Sequence, residues 1–190
     1  MEDLKRKLDE IIDFSLIDNQ KKWGKEDIAL VENKYQLTLT ADYIFYLQFY
    51  GNNYVKDNYL YKPTNSIYAI TKEETYLTGA FFGLNEDAHN LEKEITARQN
   101  LLPNDIFPIV DIPGGDLVCM DKKNGSVYLW YHEMPEESCV YLVEESFTDF
   151  IMNIDFYEDR VDDNKIHHPK MIVSKELDSF LREASKKYRE

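Results

Sequence analysis

Residues 102–133, LPNDIFPIVDIPGGDLVCMDKKNGSVYLWYHE, contain the clearest β-hairpin of the sequence. Asp116–Asp121 is one predicted strand and Ser126–His132 is the other, because both runs are rich in β-branched, aromatic and apolar residues. The four residues 122–125 between them form the loop, and their closing Asn-Gly suits a turn that ends on a left-handed glycine. The hairpin is therefore predicted to lie at the centre of the fold.

Helices are predicted on both sides of this hairpin, where apolar residues recur at three- and four-residue spacing. Thr40, Asp87 and Ser146 are the predicted caps of three of them. The predicted helices cover approximately residues 2–14, 28–36, 41–50, 88–100 and 147–157. Gly51 is expected to end the helix that Thr40 begins.

Shorter strands and loops fill the rest of the chain. Residues 67–70, 76–82 and 140–143 predict strands, whereas 52–66 predict a loop or a loosely paired hairpin. The order of helices, strands and helices predicts an α+β domain with a central, mainly antiparallel twisted sheet flanked by helices.

Composition changes at Glu158 and divides the chain unequally. Residues 1–157 are predicted to form one α+β domain. Residues 158–190 begin with a polar, charged run that ends at Pro169, which is typical of a linker. A last helix follows from Ser174, so we expect a helical extension of the same domain.

The chain of 190 residues carries a formal net charge of −14, with 36 acidic against 22 basic side chains. Such a surface repels nucleic acid and anionic membranes and attracts a basic partner. The N-terminus lacks the apolar core of a signal peptide, and no stretch approaches about 18 apolar residues. The two cysteines are too few for a disulfide framework. We therefore expect a cytoplasmic protein with reduced thiols.

No motif in the sequence predicts a metal or cofactor site. Cys119, His132 and Cys139 have no compact zinc spacing, and the pair 167–168 is expected on an exposed linker. Gly114-Gly115 precedes a strand rather than a helix, so it predicts a bulge or a tight turn and not a phosphate loop. We expect no cofactor.

His132 has two interpretations. As a structural histidine it bonds a backbone group or a carboxylate. As a general base it requires a polar partner and a nucleophile or water nearby, and Asp121 or Glu133 is the candidate partner. Asp121 begins the hairpin loop, where an aspartate commonly bonds backbone amides, so the structural interpretation is favoured for both residues.

Two segments carry a resemblance to a known family. The first contains Gly24, Glu26, Ile28, Val31, Glu32, Leu37, Leu39, Asp42, Tyr43, Phe45, Leu47 and Gly51. The second contains Leu102, Pro103, Pro108, Ile109, Gly114, Gly115, Asp116, Cys119, Asp121, Gly125, Val127, Tyr128, Trp130, His132 and Glu133. A helix with Phe147, Asp149 and Phe150 follows Ser146. Residues 20–157 thereby resemble the SUKH superfamily, which contains bacterial immunity proteins and fungal cell-wall assembly regulators.

This resemblance implies an α+β fold built on an antiparallel sheet. For bacterial members it implies neutralisation of a toxin by direct binding. It supplies no catalytic residues, and residues 158–190 lie outside it.

Tyrosines and carboxylates suggest a protein-binding surface, because tyrosine offers a large contact area with few rotatable bonds. The candidate partner-binding residues are Tyr54, Asp57, Tyr59, Tyr61, Glu73, Glu74, Glu86, Asp87, Glu136 and Glu137. The alternative is that the tyrosines are half-buried sheet residues and the acids form a solvated face.

Three hypotheses of function follow. The first is an immunity protein, a monomer or weak homodimer, that occludes the active site of a basic, nuclease-type toxin. The second is a non-catalytic regulatory or scaffold module that binds another protein or a peptide. The third is an enzyme that uses His132 with Asp121 or Glu133.

Overall fold

The computed structural model describes residues 1–16, 23–51, 53–71, 74–83 and 89–158. Met1–Glu158 form one compact unit. The linker and last helix predicted after Glu158, and the pair 167–168, lie outside the described residues.

Three helices open the described chain, and strands with three further helices follow. The helices are α1 (Glu2–Ile11), α2 (Lys25–Tyr35), α3 (Ala41–Phe49), α4 (Tyr68–Thr71), α5 (Leu91–Arg98) and α6 (Phe147–Met152). The strands are β1 (Asn53–Tyr54), β2 (Tyr59–Tyr61), β3 (Tyr76–Leu77), β4 (Ala80–Phe81), β5 (Ile106–Asp111), β6 (Leu117–Asp121), β7 (Val127–Trp130), β8 (Val140–Glu144) and β9 (Ile154–Phe156). Phe14–Leu16 and Glu136–Ser138 are short 3₁₀ helices.

The strands form two antiparallel sheets. The larger has the order β1-β4-β5-β6-β7-β8, and the smaller has the order β3-β2-β9. The β6–β7 hairpin lies inside the larger sheet, between β5 and β8. The α+β prediction is confirmed.

The loop of the β6–β7 hairpin has the predicted chemistry. Asp121 Oδ1 accepts hydrogen bonds from the amides of Lys123 (2.7 Å) and Asn124 (2.9 Å), and Gly125 has φ +78°. A Cβ atom on Gly125 would overlap the methyl group of Thr40. Glycine is therefore required there both by the backbone conformation and by the close approach of the residue before α3.

Strand β5 was not expected from the sequence. Its five residues 106–110 are all buried, so they show no alternation of apolar and polar side chains. Pro108 lies beside an irregularity in the β5–β6 register, between Pro108 and Val110. A proline lacks the amide that a regular ladder requires, and a bulge tolerates that loss.

An aromatic core fills the space between α3, α6 and the larger sheet. Tyr43 and Phe147 meet edge to face with their ring centroids 5.1 Å apart, and both are fully buried. Phe81, Phe107 and Phe150 are also fully buried. Burying one such phenylalanine contributes ~1.5–3 kcal/mol of transfer free energy. This core holds the helices against one face of the sheet.

Several predicted elements change type or length. The strand predicted over 67–70 is replaced by the helical turn α4. The strand predicted over 76–82 is divided between the two sheets as β3 and β4. Gly79 separates these strands, and its amide donates to the Asp111 carbonyl at 2.7 Å. A Cβ on Gly79 would lie only 3.0 Å from that oxygen, so the glycine permits the change of sheet.

The helix predicted to reach Tyr157 ends at Met152 instead. Ser146 begins it as predicted, because its hydroxyl accepts from the Asp149 amide at 3.1 Å. Asn153 then leaves the helical conformation, and β9 pairs with β2. In β9, Ile154 is buried whereas Asp155 and Phe156 are both exposed, so this three-residue strand has no alternation by which the sequence could have predicted it.

Two other helix boundaries differ from the predictions. The helix that begins at residue 2 ends at Ile11, and a 3₁₀ turn follows at Phe14. Helix α5 begins at Leu91 because the Asn90 side chain accepts from the Lys93 amide at 2.9 Å. The cap predicted at Asp87 lies outside the described residues.

Candidate protein interface

A turn between β1 and β2 presents three of the candidate residues. Tyr54 exposes 39% of its surface, Asp57 is exposed and Tyr59 is half-buried. Asn58 adopts φ +66°, a conformation that asparagine tolerates better than most residues. The turn therefore brings two tyrosines and a carboxylate to the surface within a short stretch of chain.

Strand β9 lies beside this turn and adds two aromatic side chains. Tyr59 pairs with Phe156, and their rings meet edge to face with centroids 5.6 Å apart. The Tyr157 amide donates to the Asn58 carbonyl at 2.7 Å. Phe156 exposes 57% of its surface and Tyr157 exposes 36%. We call Tyr54, Asp57, Tyr59, Phe156 and Tyr157 together the aromatic–acidic surface.

Sequence reasoning missed Phe156 and Tyr157 because it assigned them to the end of a helix. Their proximity to Tyr59 depends on the pairing of β9 with β2, which is a contact between residues far apart in the chain. Large exposed aromatic side chains of this kind are typical of protein interfaces.

The C-terminal part of α1 supports this surface from one side. The Lys56 amide donates to the Ile11 carbonyl at 2.8 Å, and the Asp13 amide donates to the Tyr54 carbonyl at 2.9 Å. Hydrogen bonds from the Ser15 hydroxyl and amide lower the pKa of Asp13, so its carboxylate stays ionised at neutral pH. Asp13 therefore places a carboxylate beside the turn, close to Lys56.

Lys7 of α1 connects the helix to β9. Its Nζ lies 2.8 Å from Asp155 Oδ1 and 3.5 Å from Glu10 Oε1. The lysine side chain is 11% exposed, whereas the Asp155 side chain is 67% exposed. This ion pair joins α1 to the strand that carries Phe156.

Tyr61 does not lie at the surface. It is fully buried, and its hydroxyl donates to Glu144 Oε1 at 2.9 Å. Burial, together with the neighbouring carboxylate, raises the pKa of the Tyr61 hydroxyl. This placement removes Tyr61 from the candidate contact residues, because its side chain is enclosed between the two sheets.

Glu144 is also buried, with 2% of its surface exposed, whereas Glu145 is exposed. The same Oε1 atom of Glu144 accepts from the Thr64 amide at 2.7 Å and from Asn153 Nδ2 at 3.1 Å. Glu144 is therefore a structural acceptor and not a surface acid.

The other candidate carboxylates are dispersed. Glu74 is exposed beside a cleft of about 290 Å³ that Lys62 and Tyr68 also line. It precedes β3, on the opposite side of β2 from β9. Glu137 is exposed in the 3₁₀ helix before β8. Glu73, Glu86 and Asp87 and the side chain of Glu136 lie outside the described part of the chain.

His132 has the partner expected of a structural histidine. Its Nδ1 lies 2.8 Å from Asp116 Oδ1, which also accepts from the His132 amide at 3.0 Å. Gly115, at φ +104°, lies against the ring, where a Cβ would come within 3.4 Å of it. The contact closes the open end of the β6–β7 hairpin.

A catalytic pair of His132 with Asp121 is contradicted by the register of this hairpin. Asp121 lies at the loop end of β6, whereas His132 contacts Asp116 just before the other end of the strand. Five strand residues span ~17 Å. Glu133 Oε1 is 3.8 Å from His132 Nε2, beyond hydrogen-bonding distance, and its side chain is 87% exposed.

Neither cysteine is placed to hold a metal. Cys119 and Cys139 are both buried free thiols, and burial raises the pKa of Cys119 well above its ordinary range. Within the described ranges, no group of three or more histidine, cysteine, aspartate or glutamate side chains is close enough to ligate a metal. The same ranges contain no helix long and apolar enough to cross a membrane.

Comparison with known proteins gives two matches. Residues 24–153 match the family model described as SMI1 / KNR4 family (SUKH-1). The SPbeta prophage-derived uncharacterized protein YokK of Bacillus subtilis (strain 168) is 30% identical over 127 residues. That alignment covers 61% of this chain and 66% of YokK, slightly less than two thirds of that protein's length. Strand β9 begins at Ile154, directly after the family match ends.

Proposed function

Because the chain belongs to the SMI1 / KNR4 family (SUKH-1), we propose that it is an immunity protein. It binds a cognate bacterial toxin and neutralises it by covering the toxin's active site, without chemistry of its own. Membership of the family carries this proposal, and the prophage-derived relative is consistent with a bacterial setting.

The charge of the chain supports a basic partner. A net charge of −14 attracts a toxin domain whose own groove is positively charged, as a nuclease groove must be to hold phosphates. Electrostatic attraction of this kind raises association rates towards roughly 10⁸ M⁻¹s⁻¹. The tightest natural protein pairs reach dissociation constants on the order of 10⁻¹³ M, and slow release then does most of the protecting.

The aromatic–acidic surface is the proposed contact region. Phe156, Tyr157 and Tyr54 supply the aromatic anchors, and Asp57 with Glu158 supplies exposed carboxylates around them. Strong protein interfaces typically contain aromatic side chains that become buried when the complex forms, with polar residues around them. Glu74 and Glu137, the other described candidate carboxylates, are exposed and are not part of this proposed contact region.

Co-expression with the toxin domain encoded beside the gene tests the proposal. Wild-type chain should restore growth, and Phe156→Ser should weaken protection because it removes a large exposed ring. Leu30→Ser is the matched control, since Leu30 is 68% exposed on α2. If cells that contain both soluble proteins still die, the immunity function is wrong. If Phe156→Ser protects fully, only the contact surface is wrong.

A non-catalytic module that binds another protein or peptide is the second candidate. The exposed aromatic side chains of β9 favour it equally, because they require a protein partner but not a toxin. Recovery of a regulatory enzyme by the chain, combined with failure to protect cells, distinguishes this function from immunity.

A further inference from the structure

Strand β8 is an edge of the larger sheet. The Asn65 amide donates to the Val143 carbonyl at 3.3 Å and the Thr64 amide donates to Glu144 Oε1 at 2.7 Å, so residues 64–65 cover the end of the strand. Among the described residues, the uncovered part of this edge is 140–142.

Two contacts show which backbone groups on this side of the sheet face β7. The Tyr131 amide donates to the Cys139 carbonyl at 2.8 Å, and Leu129 pairs with Tyr141. Alternate residues of an antiparallel strand face the neighbouring strand. The backbone N–H and C=O groups of Val140 and Leu142 therefore point away from β7. No described residue pairs with them.

The other sheet edges are no longer than the uncovered part of β8. Strands β1 and β3 have two residues each, and β9 has three, whereas β8 has five. The edge at β1 continues into an isolated bridge between Val55 and Ile12. Proteins commonly protect edge strands with lysine or proline, and the sequence Val-Tyr-Leu-Val-Glu of β8 contains neither.

Side chains along β8 complete an apolar strip with an acidic border. Leu142 is 37% exposed and pairs with half-buried Tyr128 of β7. Burial raises the pKa of Tyr128, and the nearby carboxylates of Asp121, Asp105 and Glu145 raise it further. Of these three carboxylates, Glu145 directly follows β8 and is the one at this edge of the sheet.

The charges at the two ends of β8 decide between possible occupants. Glu137 lies before the strand and Glu145 after it, and both are exposed. Antiparallel pairing with β8 of a second copy would bring Glu137 of one copy towards Glu145 of the other. Like charges placed opposite each other destabilise strand pairing, so a second copy is disfavoured. A positively charged segment is attracted by the same carboxylates.

We propose that β8 is the docking edge for an extended segment of the toxin that carries lysine or arginine side chains. The inference rests on the proposed function and names the part of the partner that the chain recognises. The segment bonds the outward backbone groups of Val140 and Leu142. Its apolar side chains cover Leu142, and its basic side chains reach Glu137 and Glu145.

Amide hydrogen exchange in the complex of the full chain with the cognate toxin domain tests this contact. The amides of Val140 and Leu142 should exchange at least about tenfold more slowly in the complex, because they gain strand partners. The Tyr141 amide is the internal control, since it already faces β7. If the toxin binds and the Val140 and Leu142 amides are unchanged, β8 is not the docking edge, although the immunity function stands.

A charge substitution provides a second measurement. Leu142→Lys should raise the dissociation constant of the toxin complex at least about tenfold, because it places a cation at an edge that receives cations. Leu30→Lys should change it by less than about twofold, since Leu30 is an exposed leucine on α2. Equal affinities of the two variants would overturn the proposal.

If the toxin does not bind in any assay, the proposed function fails. Peptide binding to β8 then tests the docking edge separately. A short peptide that alternates lysine and valine should shift the NMR signals of Val140 and Leu142, and its glutamate counterpart should not. Absence of a shift with the lysine peptide overturns the docking edge. Sedimentation that shows a dimer abolished by Leu142→Lys would assign the edge to a second copy instead.

Discussion

The Tyr61 hydroxyl donates a hydrogen bond to Glu144 Oε1 at 2.9 Å and joins the smaller sheet to the larger one. Asn153, which precedes β9, donates to the same oxygen. Through this buried carboxylate, the strands that carry the aromatic–acidic surface are fixed relative to the edge strand β8.

Tyr61→Phe should lower the free energy of unfolding by ~1–3 kcal/mol, because it removes one donor from a buried carboxylate. Tyr157→Phe, at a tyrosine with 36% exposure, should change it by less than ~0.5 kcal/mol. Urea denaturation followed by fluorescence measures both. Equal stabilities of the two variants would show that the contact between the sheets contributes little.

Glycine substitutions should separate backbone strain from steric overlap. Gly114→Ala and Gly125→Ala both place a Cβ on a residue with positive φ, at +109° and +78°. A Cβ on Gly125 would overlap the methyl group of Thr40, whereas nothing lies within 4 Å of a Cβ on Gly114. Both variants should lose at least ~1 kcal/mol of stability, and Gly125→Ala should lose more. Thermal unfolding ranks them, and an equal loss would contradict the overlap with Thr40.

Asp111 should make stability depend on pH. Burial raises its pKa in the folded chain, and the neighbouring His89 and Arg98 only partly offset that effect. The folded state therefore binds the proton more tightly than the unfolded state. This contribution is complete below the ordinary aspartate pKa of about 3.9 and is lost as pH rises through the higher folded value.

Relative to Asp111→Asn, the wild-type chain should thus lose stability between acidic and neutral pH. Denaturant unfolding of both proteins across this range measures the difference. Glu137→Gln, at an exposed carboxylate, is the control and should run parallel to the wild type. A wild type that gains stability over Asp111→Asn with rising pH would reverse the assigned direction.

Substitution of His132 distinguishes a structural role from a catalytic one. His132→Ala should cost about 1 kcal/mol of stability, because it removes the ring contact with Asp116. Protection against the toxin should persist at temperatures where the variant is folded. Loss of protection by a fully folded variant would restore the enzyme hypothesis.

Charge reversal should act mainly on the rate of association. Asp57→Lys places a cation in the aromatic–acidic surface and should slow association with the toxin, with a smaller effect at high salt. Asp3→Lys makes the same change on the exposed first turn of α1 and serves as the control. Stopped-flow measurements at two ionic strengths test this, and identical rates for the two variants would exclude Asp57 from the contact region.

Local sequence patterns predicted the elements whose contacts are close along the chain. The β6–β7 hairpin followed from its Asn-Gly loop and its apolar strands, and the beginning of α6 followed from Ser146. The predictions failed where a buried strand has no alternation, as in β5, and where a short strand follows a helix, as in β9. In both cases tertiary contacts stabilise a strand that the local spacing of apolar residues does not predict.

The candidate site shows the same division. Tyr54, Asp57 and Tyr59 were predicted as contact residues from residue type; in the fold Tyr54 ends β1, Tyr59 begins β2 and Asp57 lies in the turn between them. Their aromatic neighbours Phe156 and Tyr157 were missed, because they join that turn only through β2–β9 pairing.

The sequence by itself determined the α+β class, the family, the hairpin and the acidic charge, since these depend on composition and on short-range patterns. Tertiary structure alone decided which tyrosines are buried and which part of a strand edge the described residues leave uncovered. Tyr59 and Tyr61 are two residues apart and face the same side of β2, yet only Tyr61 is covered. The covering residues come from β8 and α6, and no local pattern specifies contacts across such a separation.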